Sequence, residues 1–180
     1  MSDPKSRAER LPYLGFTNRN TVKLDFDKSP LKTVKYWAKR TNRFFHLEGF
    51  KLLKSSEDSY HVVFNRPVNW SKNVHIMSWV SRLSKIESLR NYVDMQGIKE
   101  SSTLRVGPKG EKQRPIIIYC EGKQDGQIKK YLHERREINK IMKSLRICPL
   151  LQFYFNNDLE FDSYPSLVLS SSLARAQIIF

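Results

Sequence analysis

Only two cysteines, Cys120 and Cys148, occur in 180 residues. Two are too few for a disulfide framework or for a zinc site of their own. No apolar run approaches the ~18 residues of a membrane-spanning helix. The polar opening, M-S-D-P-K-S-R-A-E-R, has no apolar core of a signal peptide. The cytoplasm is the expected compartment, and no membrane partner is expected. A P-loop and internal repeats are missing too, so any helicase partner is expected on a separate chain. Acids are scarce: 18 Asp and Glu stand against 32 Lys and Arg, a formal net charge of +14. Aromatic residues make up 12%, which separates the chain from a disordered basic tail. What is present is a folded basic protein, and its charge fits a polyanionic partner, nucleic acid first.

The informative stretch is T-V-K-L-D-F-D, residues 21–27. Its period-two alternation predicts a strand with Val22, Leu24 and Phe26 on the buried face and Lys23, Asp25 and Asp27 on the other. Aspartate is depleted in strands because its short side chain competes for backbone hydrogen bonds. Two on one face repel each other unless an ion lies between them, and hard divalent cations take carboxylate oxygens. The plainer alternative is a solvated strand end whose Asp27 caps the next helix.

Ser29-Pro30 signals that helix, with Ser at the N-cap and Pro at the first helical position. Leu31, Val34, Trp37, Ala38, Thr41, Phe44 and Phe45 form its apolar stripe, and Gly49 is expected to end it. Lys32, Lys35, Lys39, Arg40 and Arg43 fall largely away from the stripe, as a solvated face or a phosphate track. Residues 50–54 and 60–64 predict a hairpin around a five-residue loop, with Tyr60, Val62 and Phe64 on one face and His61 and Val63 on the other. One long helix is expected over residues 71–92, with Val74, Met77, Val80, Leu83, Ile86, Leu89 and Val93 buried. Strands follow at 103–106 and 115–120. The loop between them, G-P-K-G-E-K-Q-R, carries Lys109, Lys112 and Arg114 and suits a phosphate.

Strand, helix, strand, strand, helix, strand is the split βαβ of ferredoxin-like and RNA-recognition folds. The expected class is α+β, one βαββαβ antiparallel sheet with two helices on one face, plus a C-terminal basic helix and short extension. The division expected is an N-terminal extension over residues 1–20, a core over 21–122, and a basic helical extension and tail over 123–180. With helices on one face, the other is expected to stay free, and Asp25, Asp27 and His61 should emerge there together.

Asp-x-Asp on the first strand, followed by S-S-E-D-S-Y-H-V-V-F on the third, resembles the catalytic core of archaeo-eukaryotic primases and primase-polymerases. The resemblance covers residues 21–120 and implies metal-dependent nucleotidyl transfer in DNA replication, plausibly of a plasmid or virus. It implies that Asp25 and Asp27, with Asp94 of Y-V-D-M as third acid, hold Mg2+ or Mn2+. It implies that Ser56 and His61 contact the phosphates of a nucleoside triphosphate, and that Arg105 and Lys109 of L-R-V-G-P-K help grip them. Where the family carries glycines before the histidine, this chain has Glu57-Asp58-Ser59-Tyr60.

Two other classes use such a sheet. Rolling-circle initiators and relaxases need a histidine pair and a tyrosine nucleophile; here one histidine, His61, is present, and Tyr131 is the candidate tyrosine. A non-catalytic module would stack bases on sheet aromatics, but Tyr60 and Phe64 fall on the helix side in this register. DNA is the first partner expected, with RNA an alternative, and the oligomeric state stays open. The third helix, residues 125–146, is capped by Asp125 and buries Ile128, Tyr131, Leu132, Ile138, Ile141 and Leu145. Lys129, Lys130, Arg135 and Arg136 give it a basic surface that, with Lys112 and Arg114, suits a phosphate backbone. A strand is expected over residues 150–155, and the final A-Q-I-I-F is apolar enough to pack back.

Overall fold

The computed structural model describes residues 13–109, 112–147 and 176–179. Strands β1 (Tyr13–Asn18) and β2 (Thr21–Phe26) lead into helix α1 (Leu31–Phe44). The hairpin β3 (Gly49–Ser56) and β4 (Ser59–Pro67) follows, then helices α2 (Trp70–Ser84) and α3 (Glu87–Lys99). Strands β5 (Ser102–Arg105) and β6 (Ile116–Gly122), helix α4 (Gln127–Ile147) and strand β7 (Ala176–Ile179) complete the order. The expected strand over residues 150–155 lies outside the described residues.

The fold is α+β and built on antiparallel sheets, consistent with the ferredoxin-like βαββαβ arrangement. The main sheet runs β2-β4-β3-β6, and a second runs β5-β1-β7. β5, the strand after the second helical layer, therefore lies against β2 without joining its ladder. Lys23 of β2 spans the gap, its buried Nζ donating to the carbonyls of Ser102 (2.7 Å) and Phe16 (3.2 Å). The apolar C-terminal segment does pack back: β7 pairs antiparallel with β1, Phe16 opposite Ala176.

One face of the main sheet is covered as its alternation dictates. Val22, Leu24 and Phe26 of β2 and Tyr60, Val62 and Phe64 of β4 join Val34, Trp37, Ile76, Met77, Val80 and Leu89 in the larger core. The other face was expected to be free, and it is not. Leu53 of β3 and Val63 of β4 bury there with Phe16, Leu104, Val106 and the α4 residues Ile128, Tyr131 and Ile138. The cause is an apolar residue at the outward position of both central strands, which demands a second cover. At about 1.5–3 kcal/mol per large side chain, that layer rivals the whole stability of a small domain.

Four local expectations shift. The helix over residues 71–92 breaks at Lys85, whose φ of 56° is left-handed, and Leu83 turns outward at 47% exposure. The break frees α3 to lay Leu89 and Val93 onto the core. The hairpin strands run on to a two-residue turn, Glu57-Asp58, with Asp58 at φ 47°. α1 starts one residue late, with Pro30 at its N-cap and no side-chain cap. Gly49 does not end α1 but begins β3, where a Cβ would meet the Lys123 carbonyl at 2.3 Å.

Candidate functional site

β2 and β4 place Asp25 directly opposite His61. Along the outward side of β2 the cover thins residue by residue: Lys23 is fully buried, the Asp25 side chain is 28% exposed, and Asp27 is open. The site is thus a rim where the second core ends, not a broad sheet face. Asp27 is fixed by α3, its N–H donating to the Ser88 hydroxyl (3.2 Å) and its carbonyl accepting from it (3.0 Å). Its carboxylate caps no helix, since α1 has no side-chain cap.

The charges at the rim are unbalanced. Burial, and next the neighbouring Asp27, push the Asp25 carboxyl up to about 7, against the pull of Arg105 and Lys112. His61 Nε2 lies 3.5 Å from Asp25 Oδ1, too long and unaligned for a hydrogen bond. Burial, then Arg105 and Arg135, push His61 down to about 3, so the imidazole is neutral. Asp25 Oδ1 and His61 Nδ1 are buried with no hydrogen-bond partner among the described residues. A desolvated carboxylate oxygen without a donor, beside a second carboxylate, is an arrangement that a divalent cation completes. Asp25 and Asp27 therefore fit such an ion as its protein ligands.

Asp94 does not join them. It lies exposed on α3, whose inward residues are Leu89, Val93 and Gln96. No three His, Cys, Asp or Glu side chains among the described residues are grouped to hold a metal ion.

Arg105 is close to the pair but has a structural task. Its Nη1 donates to the Gly107 and Gln113 carbonyls (2.7 and 2.8 Å), and its Nη2 to the Ser55 carbonyl (2.7 Å). It thereby fastens the basic loop to the end of β3, beside Ser56. Lys109 and Lys112 close that loop by reciprocal backbone hydrogen bonds of 3.0 Å. The Lys112 side chain is exposed, and its charge reaches Asp25. Glu57 and Asp58 point to solvent at the hairpin tip, away from the buried His61.

On α4, Lys129, Lys130 and Arg136 are exposed, as is Arg114 on the loop. Arg135 is not part of that surface: it is partly buried and donates to the Pro115 carbonyl, tying α4 to the loop. Tyr131 is fully buried, edge-on to Phe16 at 5.5 Å. Its hydroxyl has no partner among the described residues and is pushed up to about 12 by burial. A phenol so placed is a poor nucleophile.

Sequence reasoning missed the clamp formed by Arg105 and the buried Lys23. Lys23 did carry a signal, as a lone lysine between two apolar neighbours that a covered face would have to accommodate. No helix among the described residues is long and apolar enough to cross a membrane. No family model, curated protein or solved structure matches the chain.

Proposed function

We propose that the protein is a replication protein of primase-polymerase type, acting in the cytoplasm on DNA with nucleoside triphosphates. The observation that carries this reading is the Asp25–Asp27 pair at the edge of the second core, where Asp25 Oδ1 is buried against His61 with no hydrogen-bond donor among the described residues. When bound there, Mg2+ or Mn2+ supplies charge neutralisation at the transferring phosphoryl group and a more acidic attacking hydroxyl. Asp25 and Asp27 hold the cation. His61, kept neutral, walls off the inner side of Asp25 and adds no competing positive charge to the carboxylate. Arg105 holds the loop so that the charge of Lys112 reaches Asp25, and the ammonium groups of Lys112 and Lys109 on that loop attract phosphate oxygens.

Incubating the full chain with a primed or unprimed template, Mn2+ and labelled nucleotides tests the reading. Template-dependent product is expected from wild type and not from Asp25→Asn or Asp27→Asn. No product from wild type, or equal product from both variants, contradicts it.

A second reading, a non-catalytic nucleic-acid-binding protein on the same core, is favoured by one observation. Asp94 faces outward, which leaves two carboxylates where the resemblance implies three. That reading predicts binding unaffected by EDTA. The relaxase alternative has less support, since Tyr131 is sealed on the inner face of α4.

A further inference from the structure

On the helical side of the main sheet, away from Asp25 and His61, the surface of α1 and α2 combines cations with open rings. α1 carries five Lys and Arg and no Asp or Glu, and α2 two and none. Phe44 is 61% exposed and Tyr36 52%, although folding normally hides rings of this size. Phe44 lies flat on Trp79, centroids 4.9 Å apart and planes 14° from parallel, so its opposite face is turned to solvent. Tyr36 stands edge-on to Trp37 at 5.3 Å. Arg40 joins the two groups: it donates to the Tyr36 hydroxyl (2.7 Å), and its guanidinium carbon sits 5.4 Å from Trp37 and 5.8 Å from Trp79. The rings are thus held in place before any ligand arrives.

We propose that this surface is a stacking platform for single-stranded nucleic acid. Fixed aromatic faces take bases and the surrounding cations take phosphates, and neither asks for a particular sequence. Other occupants fit less well. A second copy of the chain would bring the same seven positive side chains against themselves. A duplex keeps its base faces stacked inside and offers the rings nothing to cover. Glu121 on β6, which reaches this surface, is already paired with Lys39 at 3.2 Å, and α1 and α2 themselves carry no acid, so the patch presents net positive charge. The platform shares the nucleic-acid partner with the reading above, but it does not depend on the carboxylate pair. It would hold a strand on the far side of the sheet from the rim.

The test is fluorescence anisotropy of the full chain with labelled oligo(dT), with heparin and phosphatidylserine vesicles as separate arms. Phe44→Leu and Tyr36→Leu keep apolar bulk at exposed positions and remove the ring face. Roughly tenfold weaker oligo(dT) binding is expected in each, with unchanged thermal stability and unchanged heparin binding. Quenching of tryptophan emission by oligo(dT) is also expected, because Trp79 lies directly under Phe44. Undiminished oligo(dT) binding in the Phe44→Leu, Tyr36→Leu double variant overturns the proposal. Vesicle binding that both substitutions weaken, with oligo(dT) binding unmoved, overturns it in favour of a membrane surface. Asp25→Asn serves as the separating control: it should leave oligo(dT) binding intact whether or not it abolishes nucleotide incorporation.

Discussion

Asp25 and His61 face each other across β2 and β4 and titrate in opposite senses. The Asp25 carboxyl is raised from 3.8 to about 7, so the stability it contributes is present at low pH and is lost as pH rises through about 7. The His61 imidazole is lowered from 6.5 to about 3, so its contribution is complete above 6.5 and is lost as pH falls toward 3. Between 3.8 and 6.5 the two slopes oppose each other, and the wild-type melting temperature should be nearly flat there. Asp25→Asn removes one slope, and its melting temperature should climb with pH across that window. Parallel profiles for the two proteins would show that the groups are not so perturbed. Arg105 makes a separate residue-scale prediction. Arg105→Met leaves three carbonyls without their donor and should cost about 3 kcal/mol in denaturant unfolding. Arg105→Lys should recover little, because an ammonium cannot reproduce the guanidinium fork.

At the scale of elements, α4 decides what the sheet can do. Gly126, just before its first turn, sits where a Cβ would lie 2.6 Å from the Asn65 carbonyl. Its N–H donates to Asn65 Oδ1 (2.9 Å). Gly126→Val should force α4 off β4 and destabilise the protein by about 1–3 kcal/mol, with a loss of near-ultraviolet circular dichroism from Tyr131. Tyr131→Phe should do the reverse. It removes a buried hydroxyl that has no partner among the described residues, so stability should hold or rise by about 1 kcal/mol. Nucleotide incorporation should be unchanged in that variant. A Tyr131→Phe protein that folds normally but loses strand cleavage would restore the relaxase alternative. The alternation in β2 and β4 was readable from sequence because each apolar residue meets one core. The second cover was also written there, in Leu53 and Val63, but one apolar residue on the outward side of each strand reads equally well as ordinary strand. The helix break at Lys85 had no such mark, since Ser84-Lys85-Ile86 holds neither glycine nor proline. Only the need of Ile86, Leu89 and Val93 to reach the core explains it.

For the molecule as a whole, the net charge is +14, and two separated basic surfaces are among its carriers, α1 with α2 and the exposed side of α4. Binding of single-stranded DNA should therefore weaken steeply as salt rises, with a log–log slope near −0.7 for each phosphate neutralised. A flat salt response would remove nucleic acid as the partner. Composition made that partner legible, because charge is a sum over residues and needs no fold. Pairing Asp25 with His61 was legible too, through strand register. That Asp94 stands apart was not, because a helical residue's direction depends on how the helix is tilted onto the sheet. The central claim is that Asp25 and Asp27 hold a divalent cation. Titration of Mn2+ into the full chain at pH 8, read as loss of the free-ion electron paramagnetic resonance signal, tests it most directly. Saturable binding that Asp25→Asn and Asp27→Asn each abolish is the predicted result. No binding by wild type, or binding that survives both substitutions, would contradict it.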